Sequence, residues 1–371
     1  MAGIGVCHIS TVHRSDDVRI FQKEARSLAK AGYDVAFVVR TQEELEVDGV
    51  RIVPLPEPQS RLDRSLRLAW LAYKQALSTR SKIFHLHDPE LVPIGLLLKL
   101  QAKKVVFDAH EDLPKQILSK PWIPRILRRP LSWAVALFEK VALVPYDAVV
   151  AATPSIAKRF SSQKTVVIQN YPIYNELIDQ QRLPYSKRPH RVAFIGGITL
   201  IRGAREMVRA VGMVSEELQV RLLLAGHFSP AELEHALAKE PGWDRVEYVS
   251  WLTREGVARE LGRSRAGLVL FHPEPNHLDA QPNKIFEYMA AGLPVIASDF
   301  PLWREIVEGE GAGLLVDPKD PAAIASAIEW VITNPQEAEA MGRRGREAVR
   351  KKYSWPLEEK KLLNLYERLS S

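Results

Sequence analysis

Short apolar runs alternate with amphipathic stretches along most of the chain. The run from Ile4 to Ser10 (IGVCHIS) reads as a buried strand, and the polar TVHRSDD after it reads as a loop. From Val18 to Ala31 the apolar positions Phe21, Ala25, Leu28 and Ala29 recur at helical spacing, with Gly32 where a helix usually ends. A strand returns at Asp34 to Val39, and strand-like runs recur at Lys82 to His87, Lys104 to Asp108 and Ala148 to Ala152. Apolar strands alternating with helices predict a parallel sheet covered on both faces. After the irregular, proline-bearing stretch Asn170 to His190 a second series begins. Its strands are Arg191 to Ile195, Val220 to Ala225, Val246 to Val249, Ala266 to Phe271 and Pro294 to Ser298, with helical segments such as Ala322 to Ile332 among them. The pattern therefore predicts an α/β protein of two doubly wound, Rossmann-like domains facing a cleft, with ligands at the carboxyl ends of the strands.

Length agrees with this: 371 residues, at roughly 100–200 per domain, argue for two. Hydrophobic residues at 46% and charged residues at 26% describe an ordinary globular chain, not a fibrous or disordered one. The longest uninterrupted apolar stretch, Leu91 to Leu98, contains Pro93 and Gly95 and is far shorter than the ~20 residues of a membrane span. The opening MAGIGVCHIS lacks the basic start and long apolar core of a secretory signal, and a single cysteine, Cys7, leaves no internal disulfide, so a cytoplasmic location is expected. A formal charge of +6 points to anionic ligands or surfaces without saying which.

The most informative stretch is Leu278 to Asp299. Pro282 suits the first turn of a helix, Asn283 to Ala291 reads as that helix, Gly292 ends it and Pro294 opens the next strand. A helix start offers unpaired N–H groups and partial positive charge to a diphosphate, and Lys284 adds a full charge in the first turn. Glu287, one turn on, is placed to accept hydrogen bonds from a ribose; the plainer alternative is a surface Lys–Glu pair. Phe194 to Gly203 (FIGGITLIRG) runs a strand into Gly196 and Gly197, where backbone can approach a phosphate, and Arg202 supplies a second cation. In the first half, His110 follows a strand end, and His13, Asp17 and Arg19 occupy a strand-to-helix loop in which Asp17 could equally cap the helix and pair with Arg19. His85 and His87 with Asp108 and His110 could instead supply a metal-dependent hydrolase. Lys120 to Lys140 has five basic residues and one acidic, a local charge of +4, among Trp122, Ile126, Leu127, Trp133 and Phe138. That mixture suits a peripheral membrane surface, or else a domain helix with its aromatics against the sheet; Pro121, Pro124 and Pro130 are expected to interrupt any long amphipathic helix.

The Pro282–Pro294 run, the GG…RG element, HRSDDVRIFQKEA, HDPEL and DAHED, in that spacing over nearly the whole chain, resemble the family-4 glycosyltransferases of GT-B fold. The resemblance implies a retaining, metal-independent hexosyltransferase using a nucleoside diphosphate sugar, with UDP favoured over GDP; the lack of an Asp-x-Asp triplet agrees. It implies an acceptor domain over 1–180, a nucleotide-sugar domain over 181–354 and a terminal helix over 355–371 that crosses back to the first. It assigns Glu287 to the ribose, Arg202 and Lys284 to the diphosphate, and Gly196, Gly197 and Asn283 to the donor site. Leu252 would touch the base, and His110 would sit near the anomeric carbon. His13, Asp17 and Arg19 fall to the acceptor. Two positions depart from the family pattern. Asp279 stands where glutamate usually contacts the sugar, so either the loop sits closer or the contact is made mainly by backbone N–H groups near Ala280 and Gln281, and Gly197 stands where another basic residue is common. No cofactor or metal is expected, the acceptor is an unspecified hydroxyl that could be lipid-linked, and no nucleic-acid partner is implied. A nucleotide-sugar epimerase of the same fold would need no acceptor site.

Overall fold

A computed structural model describes residues 3–120, 122–178 and 183–371. The chain forms two compact units, one of Met1–Asn170 with Trp355–Ser371 and one of Tyr171–Ser354. The expected boundary at 180/181 lies outside the described residues.

In the first unit the strands are β1 (Gly5–Arg14), β2 (Asp34–Arg40), β3 (Leu45–Val47), β4 (Val50–Leu55), β5 (Ile83–Leu86), β6 (Lys104–Ala109), β7 (Ala148–Ala151) and β8 (Thr165–Val167). They form one sheet in the order β3-β4-β2-β1-β5-β6-β7-β8, parallel except for the edge pair β3–β4. All four residues of β5 and of β7 are buried, as expected of strands covered by helices on both faces. The chain order reverses between β1 and β5, so the crevice of this unit lies where Thr11–Arg14 meets His87 and Asp88. β1 runs on to Arg14 through the expected loop. The Asp88 carboxylate draws it there, accepting from Ser10 Oγ (2.8 Å), Thr11 N (2.6 Å) and Val12 N (3.2 Å), while the pairing with β2 shifts register after Ile9.

The expected helix after this loop is π-wound over Ile20–Ala25 and α-helical over Arg26–Lys30, and Gly32 follows at φ +92°. The last helix, Trp355–Ser370, completes the first unit: Leu362, Leu365 and Tyr366 are buried, and Trp355 Nε1 donates to Ser27 Oγ at 3.0 Å. The basic segment contradicts the expected interruption. Pro124 precedes the first turn and Pro130 lies inside an 18-residue helix, Arg125–Ala142, whereas Pro121 is outside the described residues. Trp122, Trp133 and Phe138 are exposed and do not face the sheet.

The second unit has β9 (Arg191–Ile195), β10 (Arg221–Ala225), β11 (Val246–Val249), β12 (Ala266–Val269), β13 (Val295–Ser298) and β14 (Gly313–Val316). All are parallel, in the order β11-β10-β9-β12-β13-β14. The order reverses between β9 and β12, and this places the ligand crevice of a doubly wound sheet outside their carboxyl ends. Gly196 follows β9 directly, and the chain after β12 leads through an irregular loop to the helix Asn283–Ala291. Gly292 closes that helix in the left-handed region, at φ +72°.

Candidate active site

At the β9/β12 switch point the two glycines and two cations occupy one another's space. Gly196 sits at φ +126°, and a Cβ there would lie 2.6 Å from Lys284 Nζ. A Cβ on Gly197 would lie 2.8 Å from Arg202 Nη1, which donates to the Gly197 carbonyl at 3.1 Å. The guanidinium thus fills the space that a side chain at position 197 would need. Lys284 Nζ stands over the Phe194 ring at 5.5 Å and Arg202 over the Phe271 ring at 5.5 Å, so each cation rests on an aromatic floor of the core. Pro282 precedes the helix with no side-chain cap, which leaves its first N–H groups to a ligand together with the positive end of the dipole. Tyr288 Oη accepts from Ile195 N at 2.9 Å and ties this helix to the end of β9.

Glu287, one turn in, is half-buried and accepts from Arg254 Nη1 at 2.8 Å; Arg254 in turn lies 3.5 Å from Glu176. Neither Arg254 nor Glu176 carried a sequence signal, because they sit 33 and 111 residues from Glu287. Asp279 is exposed on the loop between β12 and the helix. That loop is held in shape by His277 Nδ1 on the His272 carbonyl (2.9 Å) and by Trp303 Nε1 donating to the Ala280 carbonyl (2.8 Å), with Gln281 and Asn283 half-buried beyond it. Leu252 is half-buried ahead of the helix Arg254–Gly262, whose first turn Thr253 caps through Gly256 N at 3.1 Å.

Burial, then the Arg202 charge, pushes the Lys284 ammonium down to about 8, against the opposing pull of Glu287. An anionic ligand would favour the charged amine and raise that value, so binding takes up a proton just above it. Affinity for a nucleoside diphosphate should therefore be greatest near pH 7 and fall as pH rises through 8, and calorimetric titration of UDP from about pH 7 upward would show it. An affinity flat to pH 9.5 (about a unit and a half higher) would remove Lys284 from the contact.

In the first unit the crevice gathers histidines. His13 Nδ1 and Asp17 Oδ2 are 2.8 Å apart, and His13 Nε2 lies 3.8 Å from Asp88. Burial alone would lower the His13 pKa, but its hydrogen bond to Asp17 and the charges of Asp17 and Asp88 outweigh it and raise it. The His13 ring stacks on His110, centroids 5.4 Å apart. His110 Nε2 is 3.1 Å from His87 Nδ1 and 3.4 Å from Asp108, and burial holds His110 neutral. Asp17 also accepts from the N–H groups of Arg19 (2.9 Å) and Ile20 (2.8 Å), which is the expected cap.

The structure corrects the expectation for Arg19. Its side chain turns inward, 4% exposed, and does not pair with Asp17 through its guanidinium. Nε and Nη2 each donate to Asp108 at 2.9 Å and Nη1 donates to the Ile168 carbonyl at 3.0 Å, which takes Arg19 out of direct reach of an acceptor. The same pairing works against the hydrolase arrangement, since both Asp108 oxygens are engaged. His85 falls in an adjoining buried cluster with His8, Glu24 and His87, so that His87 belongs to both groups, and His85 shares a 2.9 Å hydrogen bond with Tyr366.

Each unit matches a family model. A family model described as "Glycosyl transferase 4-like domain" matches residues 18–170, and one described as "Glycosyl transferases group 1" matches 189–334. The phosphatidyl-myo-inositol mannosyltransferase of Mycobacterium leprae is 24% identical over 94% of this chain and 89% of its own. Among solved structures, sucrose-phosphate synthase from Thermosynechococcus elongatus superposes with a TM-score of 0.78 at 22% identity, over 99% of both chains. The Anabaena protein HepE, solved with UDP and glucose, superposes with a TM-score of 0.76 at 13% identity, over 98% of this chain and 100% of its own. The chain belongs to the family-4 glycosyltransferases and has their GT-B fold. It is a glycosyltransferase, which sets the hydrolase reading aside.

Proposed function

We propose that this glycosyltransferase moves a hexose from a nucleoside diphosphate sugar, with UDP as the base carrier, to a hydroxyl acceptor, retaining anomeric configuration and using no metal. The observation that carries the reading is the pairing of Lys284 and Arg202 against Gly196 and Gly197 at an uncapped helix start, with Glu287 one turn behind. That set offers a diphosphate two cations and oriented N–H groups, and offers a ribose a carboxylate. HepE, crystallised with UDP and glucose, favours UDP. The mannosyltransferase of Mycobacterium leprae, named for a phosphatidyl-inositol, favours a lipid-linked acceptor in glycolipid or polysaccharide synthesis. Among the described residues no helix is long and apolar enough to cross a membrane. As a cytoplasmic enzyme the protein would meet such an acceptor at the inner membrane face, through Lys120–Lys140.

In this mechanism the bond from the anomeric carbon to the β-phosphate oxygen breaks as the acceptor oxygen bonds to the same face. The acceptor proton passes to the departing phosphate. Arg202 and Lys284 stabilise the negative charge that develops there. Asp279 and Gln281 hold the sugar, since the Ala280 N–H already donates to the His277 carbonyl at 3.1 Å; Leu252 lies against the base, and neutral His110 positions the reacting carbon with His13 and Asp17 on the acceptor side.

A thermal-shift panel of UDP, GDP and ADP and their sugars, with and without EDTA, tests the donor reading. Stabilisation by UDP that EDTA does not remove is expected, and stabilisation that requires a divalent ion would overturn the metal-free mechanism. Glu287→Ala should weaken UDP binding on the order of tenfold to a hundredfold, the worth of a hydrogen bond to a charged group. His110→Ala should leave that binding intact and lower kcat about a hundredfold through lost positioning. Wild-type binding and turnover in both variants would sink the assignment of these two residues.

A further inference from the structure

We propose that the outward faces of two helices in the first unit form one docking surface for an anionic lipid bilayer. The inference deepens the membrane part of the reading above and leaves its donor chemistry untouched. The helix Arg125–Ala142 is built inside out. Toward the protein it turns polar groups: Arg128, donating to the Ile123 and Leu118 carbonyls (2.9 and 3.3 Å), Ser132, donating to the Pro114 carbonyl (2.8 Å), and buried Glu139, paired with Arg159. Toward solvent it turns Ile126 (83% exposed), Trp133 (70%), Leu137 and Val141, spaced at helical intervals along one stripe. A surface helix of a soluble domain normally does the reverse.

The segment Arg61–Ser78 repeats the pattern. Leu62 (72% exposed), Leu66 and Trp70 recur every fourth residue on its outer side, with Lys74 beside them and Arg67 paired to Asp63. Trp122 links the two stripes, its exposed ring lying 4.8 Å from the Arg61 guanidinium and 4.9 Å from Lys120 Nζ. Exposed Arg125, Arg129 and Lys140 border the apolar stripe of the first helix. Aromatic and aliphatic side chains edged by cations fit the boundary between acyl chains and anionic headgroups. A second copy of the chain fits less well, because a two-fold contact would set each segment of charge +4 against its twin.

Flotation of the full chain with vesicles of phosphatidylcholine alone, and of phosphatidylcholine with an equal part of phosphatidylglycerol, tests this. Binding to the anionic vesicles that weakens with salt is expected, with little binding to the neutral ones. Arg125→Gln with Arg129→Gln should lower partitioning about fivefold for each charge removed. Ile126→Glu with Trp133→Glu should abolish it while leaving the thermal midpoint and UDP-induced stabilisation unchanged. Because UDP binding is read separately, failure of the donor reading would show there and not in flotation. Three results would overturn the docking surface: no flotation with either vesicle, undiminished flotation of both variants, or a wild-type dimer that Ile126→Glu with Trp133→Glu makes monomeric without any vesicle binding.

Discussion

Arg19→Met is expected to destabilise the first unit by about 3–5 kcal/mol, the usual cost of leaving a buried charge without its partner. Arg19 is 4% exposed and Asp108 1%, and two 2.9 Å hydrogen bonds join them. Glu24, wholly buried, lies 3.2 Å from the same guanidinium. Burial and the neighbouring Asp108 charge push the Glu24 carboxyl well above its ordinary range, so the Arg19 charge is matched chiefly by Asp108. Removing the guanidinium leaves the Asp108 charge buried with only His87 and His110 beside it. Arg19→Met combined with Asp108→Leu should recover part of the loss, since it removes both charges while the Ile168 carbonyl still loses its donor. Burial would raise the Asp108 pKa, but Arg19 first, then His110 and His87, hold it well below the carboxylate range. The contribution is therefore complete above the unfolded value near 4 and lost as pH falls toward the depressed one. Urea unfolding of the two variants reads this directly. A single variant within about 0.5 kcal/mol of wild type, the size of an ordinary surface substitution, would mean that the pair is replaceable by water.

This pair also shows where reading the sequence stops. The helix Asn283–Ala291 has the bounds that Pro282, the helical spacing and Gly292 predict, because start, periodicity and stop are all written within a dozen residues. Lys284 was legible as a cation in the first turn after Pro282 and Arg202 as one that follows the Gly196–Gly197 turn, whereas the approach of Lys284 to Gly196 joins residues 88 apart. Arg19 was not legible. Its partner is 89 residues away, and its nearest acid in sequence, Asp17, serves the backbone and His13. β14 was missed because its four residues, GLLV, follow a glycine-rich turn and are mostly only half-buried, which leaves little alternation to detect. The outward stripe of Arg125–Ala142 has the periodicity of an ordinary amphipathic helix. Periodicity tells that a helix has two faces, and only packing tells which one turns inward.

The largest loss of activity should come from Arg202→Met or Lys284→Met, each lowering kcat by about 10²–10³-fold, as removal of one preorganised charge-stabilising group does elsewhere. In the proposed transfer the diphosphate gains negative charge as the glycosidic bond opens. A cation fixed beforehand stabilises that charge without moving, whereas water would have to reorient. Both side chains are fixed in this sense: Arg202 by the Gly197 carbonyl and the Phe271 ring, Lys284 by the space that Gly196 leaves and the Phe194 ring. Arg202→Lys should recover little of the loss, because an ammonium cannot keep the bond to Gly197 and still reach the phosphate through a second donor. The division between kcat and KM decides what these cations do. A fall in kcat with kcat/KM falling equally assigns them to the leaving group, whereas a raised KM at unchanged kcat would make them ground-state anchors and move the charge stabilisation to the helix start alone.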